Sequence, residues 1–438
     1  MRLIYYILAG VLSAAITFGF SIIIWKLSMK YRLYPKIRER DVHTRPTPRL
    51  GGIAMFIGIT VAVAVASQID QFHLVFAKPG PVLAIFGAAL IIVLIGVADD
   101  IWDLDWMTKL AGQIIAAGLL AWQGVQLTSI PMFGGVIIVL SSYAGLLTTV
   151  LAIVLVMNAV NFIDGLDGLV SGVAIIASVV FLIYSWILAT RIAQAEYFNL
   201  ASLLTAVLIG ACVGFLPLNW HPAKLFMGDA GALLVGLLMA TSAISVTGQV
   251  DIASLTFKKE LLPAFIPILL PFAILVVPLL DFGLAVLRRL RAGKSPFSAD
   301  RKHLHHRLLD MGHSHFHAVL IFYAWTAVVS IGCLLFMFMP AIWALTFIAL
   351  GLIACTWLTL APLTKRKAVE AAVQLASPDR ASEADASRFD PLDRAANISE
   401  AGDHESADTK AAKALALEAL KAEQSAGAAT TDKGRSTA

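Results

Sequence analysis

The chain has 438 residues, of which 59% are hydrophobic and only 14% are charged. A soluble domain carries about a quarter charged residues, so this composition excludes an ordinary water-soluble globule and indicates that lipid surrounds most of the chain. The formal net charge of +4 gives no argument for a nucleic-acid partner. Cys212, Cys333 and Cys355 lie within apolar runs and form neither a CxxC nor a Cys/His pattern, so we expect no disulfide framework.

Apolar runs long enough to cross a bilayer recur along the chain. A span takes roughly 20 apolar residues, and on this basis the sequence predicts about eleven membrane helices. The first covers residues 3–25 and the ninth covers 263–287. The first run is too long for the core of a signal peptide, so we expect it to remain as a membrane helix. The expected fold is therefore all-α, a polytopic bundle of transmembrane helices.

Basic residues indicate which side of the bundle faces the cytoplasm. They concentrate in the loop after the first span, residues 26–49, and in the loop after the ninth, residues 288–307. Because cytoplasmic loops carry an excess of Lys and Arg, we expect the N-terminus outside and the C-terminus in the cytoplasm. Residues 1–363 then form the transmembrane domain. Residues 364–438 are rich in Ala, Glu, Asp, Lys and Ser, which predicts a disordered cytoplasmic tail.

Five polar clusters fall on this cytoplasmic face, and the outer loops contain nothing comparable. Ionisable groups at the depth of a helix end are costly in a membrane and are usually functional. The clusters therefore predict one active site on that face. Their sequences are HTRPTPRLGG at 43–52, DDIWDLDWMTK at 99–109, NAVNFIDGLDG at 158–168, NWHPAKLFMGDAG at 219–231 and SPFSADRKHLHHR at 295–307.

Carboxylates dominate these clusters. Asp99 and Asp100 end an apolar run, and adjacent carboxylates repel each other unless a cation is nearby. Asp164, Asp167 and Asp229 also lie at predicted inner helix ends. Carboxylates that converge in this way suit a hard divalent cation such as Mg²⁺, which takes oxygen ligands and bridges substrate phosphates. The alternative is that Asp99 and Asp100 only flank the loop at the membrane edge.

Amides, basic side chains and histidines supply the candidates for substrate binding. Arginine pairs with phosphate bidentately, although the positive-inside bias also explains arginines in these loops. Polar contact between helices is the alternative for Asn158. The histidine-rich segment lacks the ligand spacing of a zinc site, which favours hydrogen bonding to a sugar or phosphate. The candidates are Arg49, Lys109, Asn158, Asn161, Asp164, Asp167, Asn219, His303, His305, His306 and Arg307.

Together, these motifs resemble those of the polyprenyl-phosphate N-acetylhexosamine-1-phosphate transferases. They occur in family order over about residues 1–360, and the histidine segment is similar to the branch that uses UDP-N-acetylglucosamine. Ala232 departs from the pattern, since many relatives have Ser there, which puts a minor hydroxyl contact in doubt. The carrying motifs are PTPRLGG at 46–52, the aspartate pair at 99–100, NAVNFIDGLDGL at 158–169, FMGDAG at 226–231 and HLHHRL at 303–308.

The resemblance implies a reaction and its setting. N-acetylglucosamine 1-phosphate, or a related N-acetylhexosamine 1-phosphate, passes from the UDP-sugar to undecaprenyl phosphate, which releases UMP and starts a cell-envelope glycan such as O-antigen. Mg²⁺ is the implied cofactor, with Mn²⁺ as a substitute. The expected location is the plasma membrane, with many spans and a cytoplasmic active site. No nucleic-acid partner is expected, and a homodimer is left open.

Within this resemblance, Asp99, Asp100 and Asp229 are the catalytic candidates, and Asp229, Asp164 and Asp167 are the candidate metal ligands. The lipid phosphate attacks the β-phosphorus of the nucleotide sugar, with Asp99 as its base or its positioning group. Direct transfer in one step is favoured over a covalent aspartyl intermediate. The main alternative from another class is a membrane transporter, which is expected to place its acidic groups near the bilayer midplane.

Overall fold

The computed structural model describes residues 3–34, 47–132, 136–191, 196–247 and 313–376, together with short stretches between 283 and 311. Helices make up nearly all of these ranges, which confirms the predicted all-α class. The elements are α1 (Leu3–Tyr31), α2 (Gly51–Ala66), a 3-10 turn (Asp70–Phe72), α3 (His73–Phe76), α4 (Pro79–Trp102), α5 (Trp106–Trp122), β1 (Ser129–Met132), β2 (Val136–Val139), α6 (Ser142–Ile163), α7 (Leu169–Arg191), α8 (Glu196–Asn219), α9 (Gly228–Thr247), α10 (His315–Leu335) and α11 (Ala341–Ala376).

Eight of the described helices are long and apolar enough to cross a membrane, or nine if α2 and the bent segment after it form one broken span. Helix α5 has 17 residues, at the lower limit for a span. Most of the predicted ninth span, 263–287, lies outside the described residues. The multi-pass helical bundle is thus confirmed, whereas the count of about eleven spans is not.

The turn between α4 and α5 is fixed by local signals. Asp103 ends α4 in the left-handed conformation, with φ of 56°, and its N–H donates to the Asp99 carbonyl at 2.8 Å. Asp105 begins α5 as an N-cap, because its carboxylate accepts the N–H groups of Met107 and Thr108. The Thr108 hydroxyl and these N–H groups hold the pKa of Asp105 below its usual value. The tight turn therefore brings the end of α4 against the start of α5.

Helices α1 and α8 pack backbone to backbone. Gly210 on α8 faces the carbonyl of Gly10 on α1, and Gly214 faces the carbonyl of Ala14 in the same way. A Cβ atom at either α8 position would collide with the facing carbonyl. The Ser13 hydroxyl donates to the Val207 carbonyl at 2.8 Å and adds a polar contact. Small residues spaced by four are a usual solution for helix association in lipid, where apolar side chains gain little from leaving the solvent.

The membrane-spanning helices differ in the fraction of their residues that is buried within the bundle. In the most apolar stretch of α9, 89% of the residues are buried within the protein, against 11% in α11. Helix α9 is therefore the centre of the bundle and α11 is a lipid-facing helix. The chain divides into two units, Met1–Thr364 and Lys365–Ala438. Helix α11 continues to Ala376, so residues 364–376 of the predicted disordered tail are helical, and 377–438 lie outside the described residues.

A short hairpin that the sequence analysis did not predict joins α5 to α6. Strands β1 and β2 pair antiparallel, from Ser129 opposite Val139 to Met132 opposite Val136. It follows the C-terminal end of α5 and precedes the N-terminal end of α6. The hairpin thus lies at the ends of these helices that are remote from the polar clusters at 99–109 and 158–168.

The α1–α8 contact gives a stability prediction. In Gly210→Ala, the new methyl group collides with the Gly10 carbonyl, and we expect a loss of about 1 to 3 kcal/mol, the usual effect of overpacking. Gly19→Ala is the matched control, because a Cβ there meets nothing within 4 Å. Thermal unfolding of both variants in detergent measures the difference. A Gly210→Ala protein as stable as Gly19→Ala would contradict this packing.

Candidate active site

The first residues of α9 form the centre of the site. The Asp229 N–H donates to Asp100 Oδ1 at 3.2 Å, and the Ala230 N–H lies 3.5 Å from Oδ2. Asp100 thus caps the positive end of the helix dipole. Gly228 precedes them with φ of 69°. A side chain at 228 would collide with the Arg49 carbonyl and the Asp100 carboxylate, so this position requires glycine.

One ammonium group joins two carboxylates beside this helix end. Lys109 Nζ lies 2.8 Å from Asp99 Oδ2 and 3.3 Å from Asp229 Oδ2. The Asn161 amide donates to Asp229 Oδ1 at 3.2 Å. The Asp99 side chain is 9% exposed, whereas those of Lys109 and Asp229 are 27% and 28% exposed. The pair Lys109–Asp229 is therefore open to a ligand from solvent, and Asp99 lies behind it.

The glycine-rich motif near residue 50 pairs with the motif before α9. The Phe226 N–H donates to the Pro48 carbonyl at 2.8 Å. In return, the Gly51 and Gly52 N–H groups donate to the carbonyls of Phe226 and Met227, each at 3.0 Å. These three backbone bonds hold the start of α2 against the start of α9. Part of the PTPRLGG motif therefore has a structural role.

Two further glycines let three helices meet at the site. A Cβ at Gly52 of α2 would collide with the backbone of Ala230 and Gly231, and one at Gly96 of α4 would collide with Ala230. Close contact of this kind needs a residue without a side chain. The consequence is that the ends of α2, α4 and α9 converge, and their polar residues with them.

Asp167 lies in a second, adjoining group of contacts. Its side chain is fully buried, and Oδ2 accepts a hydrogen bond from His221 Nδ1 at 2.7 Å and from the Ala223 N–H at 3.1 Å. The carboxylate acceptor assigns the proton to Nδ1 of His221. Asp167 thereby holds the loop between α8 and α9 in place.

Asn219 connects the same two loops through backbone groups. Its Oδ1 accepts the Gly168 N–H at 3.0 Å, and its Nδ2 donates to the Leu225 carbonyl at 3.1 Å. The side chain is buried, with 4% exposed. Both ends of the amide are therefore used to fix the loops on either side of it.

Asp164 caps the end of α6 near the Lys109–Asp229 pair. Part of its surface is reachable by solvent, yet protein atoms surround the carboxyl closely. This burial and the nearby Asp229 carboxylate raise the pKa of Asp164 to about 7, and the charge of Arg49 opposes the increase. Asp164 therefore shares the electrostatic environment of Asp229 and Arg49.

The structure brings together five of the predicted site residues by direct hydrogen bonds, namely Asp99, Asp100, Lys109, Asn161 and Asp229. Asn158 instead donates to Gln113 Oε1 of α5 at 2.5 Å, which is a contact between helices, and to the Val154 carbonyl of its own helix at 2.8 Å. Asp167 and Asn219 have their described contacts in the loops. His303, His305, His306 and Arg307 lie outside the described residues, and their roles remain predictions.

Three residues of this region were missed by the sequence analysis. Gln113 is 3% exposed and lies one turn after Lys109, a spacing that places both on one helix face. His221 pairs with Asp167, and the Tyr323 hydroxyl donates to the Gly168 carbonyl at 2.6 Å. A polar residue inside an apolar run was the available signal for Gln113. His221 lies within the polar cluster at 219–231, which was the available signal for it, whereas Tyr323 lies in an apolar run and gave none.

The donor chemistry of the site can be compared with that of a metal centre. Among the described residues, no group of three or more His, Cys, Asp or Glu side chains is arranged to hold an ion. Mg²⁺, however, often uses one or two carboxylates together with water and substrate phosphates. Asp99 Oδ1 is buried and has no hydrogen-bond partner among the described residues. Asp99 and Asp229 therefore fit a hard cation, with the Asn161 amide oxygen as a third donor once the amide is turned over.

The ion pairs of Lys109 give a second prediction. In Lys109→Met, the Asp99 and Asp229 carboxylates face each other without a cation, so we expect the melting temperature in EDTA to fall by about 2 to 4 °C. Lys109→Arg is the control, because it keeps the positive charge and should lie closer to the wild type. Differential scanning fluorimetry in detergent measures all three proteins. A Lys109→Met protein at least as stable as wild type would exclude this role of the ammonium group.

Comparison with known proteins adds a separate finding. Residues 82–247 match the family model described as glycosyl transferase family 4. The decaprenyl-phosphate N-acetylglucosaminephosphotransferase of Mycolicibacterium smegmatis is 38% identical over 82% of this chain and 89% of its own length. Its namesake in Mycobacterium tuberculosis is 40% identical over 74% of this chain and 81% of its own. The undecaprenyl-phosphate alpha-N-acetylglucosaminyl 1-phosphate transferase of Yersinia pestis is 28% identical over 66% and 72%.

Proposed function

Since the chain belongs to glycosyl transferase family 4, and within it to the polyprenyl-phosphate N-acetylglucosamine phosphotransferases, we propose that it transfers N-acetylglucosamine 1-phosphate from UDP-N-acetylglucosamine to a polyprenyl phosphate and releases UMP. The observation that carries this proposal is the contact of Lys109 with both Asp99 and Asp229 at the α9 N-terminus. All three residues lie within the range that matches the family model.

The charge of the site suits two anionic substrates. A sugar nucleotide and a lipid phosphate repel each other, so bringing them into contact requires positive charge at a fixed place. Lys109 and Arg49 supply two such charges, and the cation proposed below would add a third, since the first N–H groups of α9 already donate to Asp100. Because Asp100 holds these N–H groups, its role in this proposal is to fix the orientation of α9 rather than to react.

In the proposed reaction, an oxygen of the lipid phosphate attacks the β-phosphorus of UDP-N-acetylglucosamine. A new P–O bond forms there, and the bond from that phosphorus to the oxygen shared with the α-phosphorus breaks. The electron pair and the shared oxygen leave with UMP. A phosphate monoester is already largely ionised near neutral pH. Asp99, buried behind Lys109, is therefore proposed to position the acceptor instead of deprotonating it.

We propose Mg²⁺, with Mn²⁺ as a substitute, as the cofactor of this site. The residues that would hold it are Asp99, Asp229 and Asn161, and Asp164 is a further candidate because it shares the electrostatic environment of Asp229. When bound, the ion neutralises charge on the diphosphate. The assignment of Asp167 as a ligand is weaker, since His221 and Ala223 already use one of its oxygens.

We also propose that the site faces the cytoplasm from the plasma membrane. Lys224, in the loop before α9, lies 5.5 Å from the ring of Trp25 near the end of α1. Lys26 and Lys30 at this end of α1 and Arg49 before α2 therefore lie on the same side as the site, and positively charged segments are typically cytoplasmic. The charged groups that contact one another, Asp99, Asp100, Lys109 and Asp229, meet at this one set of helix ends. That arrangement favours an enzyme over the alternative of a transporter with acidic groups at mid-span.

A label-transfer assay tests the proposed function. Purified protein with Mg²⁺, radiolabelled UDP-N-acetylglucosamine and either undecaprenyl or decaprenyl phosphate should give lipid-extractable label and UMP in equal amounts. We expect Asp229→Asn to lower the rate by at least about 100-fold, as when one group that stabilises transition-state charge is lost. Asp70→Asn, in the turn beyond the other end of α2, is the matched control and should retain activity.

Two control reactions complete this assay, one without the lipid acceptor and one with a different sugar nucleotide. Without the lipid acceptor, the protein should carry no label, whereas a labelled protein would favour the covalent aspartyl route. With UDP-glucose in place of UDP-N-acetylglucosamine, transfer should fall sharply. No transfer to either lipid by the wild type, or an Asp229→Asn variant as active as Asp70→Asn, would refute the proposal.

A further inference from the structure

The backbone N–H and carbonyl of Gly168 form hydrogen bonds with side chains from two different helices. Its N–H donates to Asn219 Oδ1 at 3.0 Å, at the end of α8. Its carbonyl accepts the Tyr323 hydroxyl of α10 at 2.6 Å. Gly168 has φ of 75° and directly precedes α7. It therefore ends the loop that carries Asp164 and Asp167, and fixing this peptide fixes one end of that loop.

The ring of Tyr323 packs against the start of α7, where Gly172 leaves space for it. A Cβ at Gly172 would collide with the ring and its hydroxyl. At Gly168, a Cβ would stand 3.6 Å from the same hydroxyl oxygen. The two glycines are one helical turn apart, so together they leave a groove into which the ring fits. The hydroxyl reaches the Gly168 carbonyl because Gly172 carries no side chain, whereas a Cβ at Gly168 would only be in ordinary van der Waals contact.

The hydrogen bond joins two parts of the chain that the proposed function uses separately. Helix α10 follows the histidine-rich segment 303–313, and the Gly168 peptide belongs to the aspartate loop. A backbone carbonyl enclosed by protein needs a donor. The Gly168 carbonyl also accepts the Gly172 N–H at the start of α7, at 3.0 Å. Removing the Tyr323 hydroxyl therefore takes away the bond that ties this carbonyl to α10 and loosens the end of the loop.

We infer that Tyr323 is a positioning residue for the transfer reaction, which acts through the Gly168 peptide to set the orientation of Asp164 and Asp167. This inference rests on the proposed function. A loop that is loose in the free enzyme must be ordered when the sugar nucleotide binds, and that ordering weakens binding. The effect falls on the affinity for the nucleotide, because Lys109, Asp99 and Asp229 are fixed by separate contacts.

Tyr323→Phe removes the hydroxyl and keeps the ring. We expect the KM for UDP-N-acetylglucosamine to rise by about 5- to 10-fold, the effect of one lost hydrogen bond. The kcat and the KM for the lipid phosphate should change by less than about twofold. Calorimetric titration with UMP in the absence of lipid should show the same loss of affinity, as a readout independent of turnover.

Tyr184→Phe is the matched control. Tyr184 is fully buried on α7, and its hydroxyl has no hydrogen-bond partner within the part of the chain that the structure describes. The same atom is deleted from the same residue type, so a change common to both variants reflects packing alone.

Gly172→Ala offers an independent route, because the new methyl group displaces the Tyr323 ring, and it should reproduce the change in nucleotide KM even if Tyr323→Phe folds poorly.

The outcomes separate this inference from the proposed function. A wild type without transferase activity contradicts the proposed function. An active wild type with Tyr323→Phe kinetics equal to those of Tyr184→Phe overturns the role of Tyr323. A fall in kcat and melting temperature without a change in nucleotide KM also overturns it, since that is the signature of a purely structural residue. A selective rise in nucleotide KM supports it.

Discussion

The placement of one lysine between two aspartates governs the rest of this site. Carboxylates at a membrane-embedded helix end are costly unless a cation or hydrogen-bond donors compensate them. Lys109 supplies the cation for Asp99 and Asp229, and the first N–H groups of α9 supply donors for Asp100. Asp99, Asp100 and Asp229 thereby each have a cation or a hydrogen-bond donor beside them before any ligand binds. Because one ammonium group serves two carboxylates, the proposed Mg²⁺ would complete the compensation and, together with Lys109, would prepare the site for anionic substrates.

This charge arrangement depends on how closely the helix backbones approach. Glycines at 52 and 96 allow α2 and α4 to touch the start of α9, and Gly228 turns the chain so that its first N–H groups face Asp100. The three backbone bonds between residues 48–52 and 226–227 lock that arrangement. Rigid positioning of this kind matters for phosphoryl transfer, where alignment and charge contribute more than covalent chemistry by the protein. The fold therefore contributes geometry, and a few side chains contribute the charge.

The sequence predicted where the polar residues lie relative to the bilayer, because polar residues at the ends of apolar runs must lie at a membrane surface. It predicted that Asp99, Asp100 and Asp229 converge, and the structure places them in one hydrogen-bonded group. It could not predict their partners. That Asp100 caps α9 depends on a helix more than a hundred residues away in the chain, and periodicity carries no information about such contacts. The resemblance supplied the reaction, whereas composition alone gave only a membrane bundle.

Other differences between the predicted and the observed site also arise from contacts that local sequence does not reveal. Asn158 and Asn161 occupy equivalent positions in the motif, yet one contacts Gln113 and the other Asp229, because a spacing of three turns successive side chains around the helix. The hairpin between α5 and α6 is short and carries no site residue. The loops at 164–168 and 219–225 hold each other through Asp167, Asn219 and His221, a mutual arrangement that local sequence cannot reveal.

The central claim is that distant helix ends meet on one membrane surface. Single cysteines at Asp103, Trp220 and Tyr143, all exposed positions, test it with a membrane-impermeant maleimide applied to intact cells and to inverted vesicles. The native cysteines are buried, so background labelling should be low. If these helix ends share the cytoplasmic surface, Asp103→Cys and Trp220→Cys should react only in inverted vesicles, and Tyr143→Cys should react only in intact cells. Labelling of positions 103 and 220 from opposite sides would contradict a shared active site.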